Sequence, residues 1–535
     1  MKKVYISAAL AALVGLPTFA QDVYKVEALS TNDLSGDARY IGMGGAMGAL
    51  GANISAMTNN PAATGLYRRS DASFTAGVTI QPNAEDMYDR GKSRASFDQA
   101  GFVIAMKTGS VSVPFVNLGF NYTKNHNFKQ YIGFSPVATP GGLSQSWQMR
   151  DLAIDGDGNW LDLAYEPDRQ RTTGLACCGY DTRMIYETLN DEGYINNYGA
   201  SHANNYDYYR VQWGGVSKYD LNISLNAQDR FYFGATVGIY DVDFNSRLSY
   251  TEEIGFDDGS IGLYEMYQGE SLKGTGVDFK LGMIVRPIAD SPFRFGLSFH
   301  TPVWYELTAS NYLDMESPFP YMDEDGNEYE RTAASVSNIY DYNLRTPWRF
   351  NISAATTVDN WLALDAEYEY AAYNSASVSW PDYNSFDPYY GSYDSHKDYS
   401  LREEIKACLQ GVHTFRIGAE AKLADNLVGR IGYNYVSKSF KDDSYLNLFT
   451  DSPSYYYNTN TDYVNLGDIN RITLGLGYRG KHFYGDLAYQ CQLQKGDVYA
   501  FHYNDSDYLG VENALTPVTF DLNRHNIMLT LGYKF

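Results

Sequence analysis

Beyond its first twenty residues, the 535-residue chain has no uncharged apolar run of the roughly 18–20 residues a spanning helix needs. Either the protein is exported and soluble, or it crosses a membrane by strands. Cysteine is scarce, with four in the whole chain, which excludes a disulfide scaffold. Cys177 and Cys178 are adjacent, Cys408 lies in another loop, and a loop-to-loop disulfide stays open; Cys491 sits in a strand pattern and reads as packing. Basic residues are few, 41 against 64 acidic, for a formal net charge of -23. That argues against nucleic acid as a partner, and against a peripheral protein held on anionic lipid by a basic face. There is no nucleophile elbow, no His-Glu-x-x-His and no cysteine cluster, and the eight histidines are scattered. No enzyme, cofactor or metal is expected. Two acidic stretches, 155–159 and 323–328, lack the glycine and glutamate positions of a calcium loop and read as turns.

What is present is tyrosine, 49 residues in a chain that is 15 % aromatic, at a mean hydropathy of only -0.39. Tyrosine suits places where one end of a side chain is dry and the other wet. The chain opens with Lys2 and Lys3, an apolar stretch from Val4 to Leu16, and small residues up to Ala20. This is a secretory signal, with cleavage expected after Ala20.

Period-two alternation runs through the rest. At the C-terminus Ile527, Leu529, Leu531, Tyr533 and Phe535 alternate with Asn526, Met528, Thr530, Gly532 and Lys534. One face is apolar and the other small or polar, as in a strand. The same pattern predicts strands at 70–81, 96–107, 112–124, 216–227, 230–250, 271–286, 293–308, 344–358, 361–378, 412–424, 427–441, 469–479, 482–499 and 522–535. Tight turns alternate with long polar stretches such as 125–215 and 309–343, and 127–135 could extend the third strand. Aromatics collect at strand ends: Trp304, Tyr305, Trp348, Trp361, Tyr368, Tyr370, Tyr433 and Tyr435. Long strands, alternating short and long links, and aromatic girdles predict an all-β transmembrane antiparallel β-barrel of about fourteen strands. An even count leaves both ends on the periplasmic side of an outer membrane.

Gly42 to Tyr67, GMGGAMGALGANISAMTNNPAATGLY, fits neither helix nor strand and carries no charge. Irregular backbone cannot face lipid, and a fourteen-strand barrel has a lumen wider than its own side chains fill. The segment therefore reads as an N-terminal plug, giving a signal at 1–20, a hatch at 21–69 and a barrel at 70–535. Gly42, Gly44 and Gly45 would let it turn close to the wall, and Asn60-Pro61 marks a tight turn ahead of Ala62.

The block Gly36 to Ala46, the Asn60-Pro61-Ala62 motif and Leu66 before the first strand resemble the FadL family of outer-membrane transporters for long-chain fatty acids and hydrocarbons, of the Bacteroidetes type. The family's hatch reads Asn-Pro-Ala-Gly; here Ala63-Thr64-Gly65 follows, so the glycine is displaced. The resemblance implies a hatch in a fourteen-strand barrel, capture of a hydrophobic molecule by outer loops, an apolar luminal pocket, and sideways release through a gap made by a kinked early strand. Pro114 could supply that kink, or could simply begin its strand.

Arg294, Arg349, Arg416, Arg430 and Arg471 fall on luminal parity and could hold a ligand carboxylate. Asp365, Glu367, Glu369 and Glu420 share that parity, so interlocking wall ion pairs are the competing reading. In the longest loop Trp147, Met149, Leu152, Trp160, Leu161, Leu163, Met184, Ile185 and Leu189 form either an apolar docking patch or a small core of the loop's own, and 183–189 could be a short helix. The expected function is passive transport of small hydrophobic compounds such as long-chain fatty acids, by a monomer in outer-membrane lipid. The rivals are a porin for polar solutes, which would have an open lumen, and a structural or secretion-associated barrel that binds a partner protein.

Overall fold

The computed structural model describes residues 23–535 other than 83–91, 156–157, 257, 289, 323–327, 388–391, 443, 447–451, 453–456 and 504–512. The signal at 1–20, its cleavage after Ala20, Gly156 and Asp157 of the first acidic turn, and 323–327 of the second lie outside the described residues.

Fourteen strands form one closed antiparallel barrel. They are β1 (Asp71–Ile80), β2 (Ser93–Lys107), β3 (Phe115–Asn127 continued by Gln130–Ala138), β4 (Ala203–Ala227), β5 (Phe231–Gly255), β6 (Ile261–Val285) and β7 (Arg294–His300 continued by Trp304–Ser317). Next come β8 (Thr332–Arg345 continued by Arg349–Val358), β9 (Leu362–Ala372 continued by Ser377–Asp387) and β10 (Ser392–Lys397 continued by Gly411–Ala424). The last are β11 (Leu427–Val436), β12 (Tyr463–Arg479), β13 (Phe483–Tyr499) and β14 (Val518–Asp521 continued by Arg524–Lys534). Each pairs with its successor, and β14 returns to β1 from Asp71↔Lys534 to Ile80↔His525, so no sheet edge is left for lipid to meet.

Outward side chains follow the predicted parity. Phe233, Ile239, Leu281, Ile352, Ile417, Ile431, Leu474 and Leu529 are exposed, which in water would be a liability and in lipid is the rule. The apolar belt ends above in Trp304, Tyr219, Tyr433 and Tyr489, and below in Phe231, Trp361, Tyr478 and Phe483. Tyr305 departs from the expected girdle: it is 2 % exposed and points into the lumen.

Several strands run far past the belt. β4, β5 and β6 have 25 residues each, where about ten cross a bilayer. Residues 203–215, expected as loop, are paired strand, as are 309–317 and 332–343, while 130–138 continue β3 much as the extension over 127–135 allowed. Above the membrane both faces of these strands are polar or tyrosine-rich, so alternation vanishes from the sequence while the hydrogen-bond ladder continues. The remaining loop between β3 and β4 folds into α3 (Gln145–Asp151), α4 (Glu166–Arg169), α5 (Gly174–Asp181) and a hairpin of Ile185–Leu189 with Ile195–Ala200. The expected helix at 183–189 is thus a strand, and the helix lies earlier, capped by Thr173. Met149, Leu152, Leu161, Leu163, Met184 and Ile185 are buried together, forming the loop's own core over the barrel mouth. Only Leu189 of the expected patch is largely exposed. The four cysteines are free thiols.

Candidate functional site

The barrel's lumen holds the N-terminal segment. α1 (Val23–Ser30) lies uppermost, with Tyr24 stacked on Phe440 at 4.8 Å and Lys25 paired to Glu270 at 2.6 Å. Below it comes α2 (Ala38–Gly42), capped by Asp37, whose Oδ1 accepts from the Tyr40 N–H at 3.0 Å. Two 3₁₀ turns follow, Ser55–Thr58 and Pro61–Leu66.

The predicted motif residues meet the wall. Asn60 caps the second turn: its Oδ1 accepts from the Ala62 N–H at 3.0 Å, while its Nδ2 donates to the Gly48 carbonyl at 2.9 Å and toward Met283 O at 3.3 Å. Pro61 takes the first helical position, where its missing N–H is harmless. Gly42 lies against Gly475 of β12, and Gly45 beside Leu34 and Arg416. Gly44 has φ +64, and a Cβ there would stand 2.8 Å from the Tyr433 nitrogen. A side chain is excluded on both counts.

The five arginines all point inward, and ion pairs absorb most of them. Arg294 Nη1 donates to the Leu50 carbonyl at 2.7 Å. Arg416 bridges Glu367 at 2.7 Å and Glu369 at 3.0 Å, and Glu369 also takes Arg349 at 3.0 Å. Arg349 further donates to the Ser30 carbonyl. Arg430 joins Glu420 at 2.6 Å and Asp486 at 2.7 Å, and hatch Arg39 shares Glu420 at 2.8 Å. Wall carboxylates hold hatch backbone too: Glu367 accepts from the Gly48 N–H at 3.0 Å, Asp365 from Leu50 at 2.8 Å. The wall ion-pair reading therefore describes these arginines better than free ligand sites. Arg471 differs, with neutral Gln492 and Asn434 at 2.9 Å and only a 3.5 Å approach to Asp33.

The wall is interrupted where the hatch presses on it. Pairing between β2 and β3 stops at Gln99↔Thr123. β3 then bulges at Asn125, facing β4, and breaks between Asn127 and Gln130. Hatch residues Asn32 and Asp33 cover this break from inside. The Asp33 N–H donates to the Asn125 carbonyl at 2.9 Å, and the Asp33 carboxylate accepts from the Asn127 N–H at 2.8 Å. His126 Nδ1 stands 3.2 Å from the same carboxylate, and Arg524 donates to the carbonyls of Asn127 and Lys129 at 3.2 and 2.7 Å. Burial alone would raise the Asp33 pKa; His126, Arg524 and Arg471 bring it well below the usual carboxylate value. Pro114 is not part of the break. It lies in the turn before Phe115, its carbonyl accepting from Thr108, and so begins β3 without interrupting it. Sequence reasoning missed Asp33, His126 and Arg524; the bulge that turns His126 inward leaves no mark in the alternation.

Between the hatch segment from Tyr24 to Ser35 and the wall is a cavity of about 210 Å³. Phe128, Phe244, Val303 and Tyr305 give it apolar surface, but nine lysines and arginines and five carboxylates also line it. It is amphipathic, where the resemblance implied an apolar pocket. Its cationic surplus runs against the acidity of the whole chain.

These features define a membrane-spanning barrel closed by an internal hatch. No family model matches the sequence, and no curated protein matches it. Among solved structures, a FadL homologue from Pseudomonas aeruginosa aligns over 95 % of this chain and 100 % of its own, at 14 % identity and TM-score 0.50. The toluene transporter TodX of P. putida aligns over 94 % of this chain and 99 % of its own, at 12 % identity and TM-score 0.43. The fold is that of the FadL homologue: a FadL-like, hatch-filled barrel.

Proposed function

We propose that this protein passes small hydrophobic compounds across the outer membrane without an energy source, and that its cargo includes long-chain fatty acids or similar amphiphiles. The observation that carries the reading is the Asn32–Asp33 segment seated on the interrupted β3. The hatch obstructs the axial path, and the wall is weakest where the hatch seals it. An acyl chain on Phe128 and Phe244 could place its carboxylate toward Arg471 and Arg524, displacing Asp33 and freeing the β2–β3 gap for sideways release. A porin for polar solutes is disfavoured, since its lumen would be open. TodX, a toluene transporter by name, lends the hydrophobic class weight only as an analogy.

The test is native mass spectrometry of the full chain purified in mild detergent, before and after adding oleate. One oleate per barrel, weakened about tenfold by Arg471→Gln for the loss of a charged hydrogen bond, is the expected result. A barrel that binds no apolar compound and carries a partner protein instead would favour the secretion-associated reading. The exposed Tyr186, Leu189 and Tyr194 of the outer hairpin offer that reading a contact surface.

A further inference from the structure

The gap that Asp33 seals holds a second cavity, of about 40 Å³. Asp33, Asn127 and Arg524 line both this cavity and the larger one, so the two share a partition. Thr79, Ser96, Asp98 and Lys124 line the smaller one alone. Its frame is set by the strands. Below, the β2–β3 ladder ends at Gln99↔Thr123. Above, the side chain of Gln81 reaches from the end of β1 to Tyr131, Nε2 donating to the carbonyl at 2.8 Å and Oε1 accepting from the N–H at 3.2 Å. Between these levels residues 93–98 of β2 stay paired to β1, while the ladder to β3 is absent among the described residues.

Lys124 stands at the lipid border of this opening. It follows Tyr122 by two residues, and Tyr122 pairs with Tyr219 of the upper girdle. Tyr122 stacks on Phe97 of β2 at 5.4 Å, and Phe97 is 51 % exposed. An aromatic floor thus lies under the opening on its lipid side. The Lys124 stem runs over Gly215 of β4, where a Cβ would stand 2.9 Å from the lysine Cε. Lys124 lies within electrostatic reach of Asp98, Arg94, Asp33 and Arg524. Its ammonium nevertheless makes no hydrogen bond or ion pair among the described residues. The Asp98 carboxylate takes a hydrogen bond from Ser96 Oγ at 3.0 Å instead. With Asp33 withdrawn, Lys124, Arg94 and Arg524 remain here against Asp98, a surplus suited to an anion.

We propose that Lys124 is a carboxylate-binding residue at the outlet, taking the headgroup of a single-chain amphiphile over from Arg524 while the acyl chain passes across Phe97 and Tyr122 into lipid. The inference rests on the transport reading above and adds an exit site to it. The two cations suit successive tasks. The Arg524 guanidinium is a rigid fork already bound to two carbonyls of the wall, whereas the Lys124 ammonium is a point charge on a flexible stem that can follow a moving carboxylate. Binding there breaks no existing pair.

The test compares two cargoes with the same acyl tail, oleate and oleyl alcohol, in cells carrying the full-length protein at equal surface level. Lys124→Gln should slow oleate uptake about fivefold, for the loss of a charged hydrogen bond, and leave oleyl alcohol within about twofold. Lys124→Arg should restore oleate. Equal slowing of both cargoes would show a merely structural role, and unchanged oleate uptake no role; either overturns the proposal and leaves the transport reading standing. Failure of the unaltered protein to bind or pass either cargo overturns both. Folding of the variants is checked by heat-modifiable gel migration, and if they fail it the unaltered protein still decides. An oleate analogue with a diazirine beside its carboxylate should label residues 96–98 or 124–127 on illumination, and labelling that misses them overturns the site. Loss of bound dioctanoyl phosphatidylglycerol in Lys124→Gln, with oleate uptake unchanged, would assign the residue to bilayer lipid and overturn the proposal as well.

Discussion

The Asp33 carboxylate accepts a hydrogen bond at 2.8 Å from the backbone N–H of Asn127, the last residue before β3 breaks. A hatch side chain thus completes a wall whose ladder toward β2 has run out. A buried N–H without a partner costs on the order of 1–3 kcal/mol, so the break is tolerable while Asp33 is in place and unfavourable when it leaves.

Replacing Asp33 by alanine should therefore loosen both partners. Asn127 loses its acceptor, and His126, Arg471 and Arg524 lose the hatch carboxylate that faces all three. The barrel should stay folded, because its closure from β1 to β14 is untouched. Uptake of a fluorescent fatty acid by cells carrying the variant should rise several-fold if departure of the 32–33 segment limits passage. Unchanged or lower uptake at equal surface level would show that this segment does not gate the route.

Glu420 offers a contrasting test of hatch anchorage. It is the shared partner of Arg39 at 2.8 Å and Arg430 at 2.6 Å, so Glu420→Gln leaves Arg39 without a carboxylate and Arg430 with Asp486 alone. Breaking a buried pair from one side is destabilising by roughly 3–5 kcal/mol. The midpoint of heat-induced mobility change should fall clearly. Lys422→Gln, two residues away at the exposed end of β10, should leave it unmoved, since exposed pairs contribute little.

Close approach of hatch and wall makes a third prediction. A Cβ on Gly282 of β6 would lie 2.1 Å from Asn60 Oδ1, and 2.8 Å from Pro61 Cδ. Gly282→Ala must push the Asn60-Pro61 turn away from the wall while leaving the β5–β6 ladder intact. Single-channel recordings in planar bilayers should show a leak absent from the unaltered protein. A silent bilayer would mean that the hatch tolerates displacement of this turn without opening a path.

Much of this architecture is legible in the sequence, and the reasons are local. All fourteen strands can be read because lipid on one side and hatch on the other impose period two, as in Ile527 to Phe535. Asn60-Pro61-Ala62 is legible because cap and first-position proline are chemically required. The upper walls are not: Asn204 to Gly215 alternates nothing once water lies outside, and its ladder depends on partners in β3 and β5. Nor is the sealed break, which joins Asp33 to Asn127 and to Arg524 across 94 and 491 positions. The arginines show the limit most clearly. Parity places Arg416 and Arg471 on the same face, but only their neighbours, two glutamates for one and amides for the other, separate a wall brace from a candidate ligand site.

The outer roof should respond to pH through His502. Its ring stacks on Tyr445 at 4.7 Å and 20°, and burial lowers its pKa from 6.5 to about 4. Nδ1 finds no hydrogen-bond partner among the described residues. The folded roof therefore keeps His502 neutral, while an opened roof lets it take a proton at its ordinary pKa. Between those values the open state binds more protons, so stability of the packed roof is complete above about pH 6.5 and declines as pH falls toward about 4. The full difference is about 3 kcal/mol at most. Hydrogen exchange of the Tyr499–Tyr503 segment should accelerate by an order of magnitude or more from pH 7 to pH 4.5, after correction for intrinsic rates. His502→Phe keeps the ring stack and removes the proton site, so its protection should be flat over that range. Equal pH dependence in the two proteins would assign the loosening to another group.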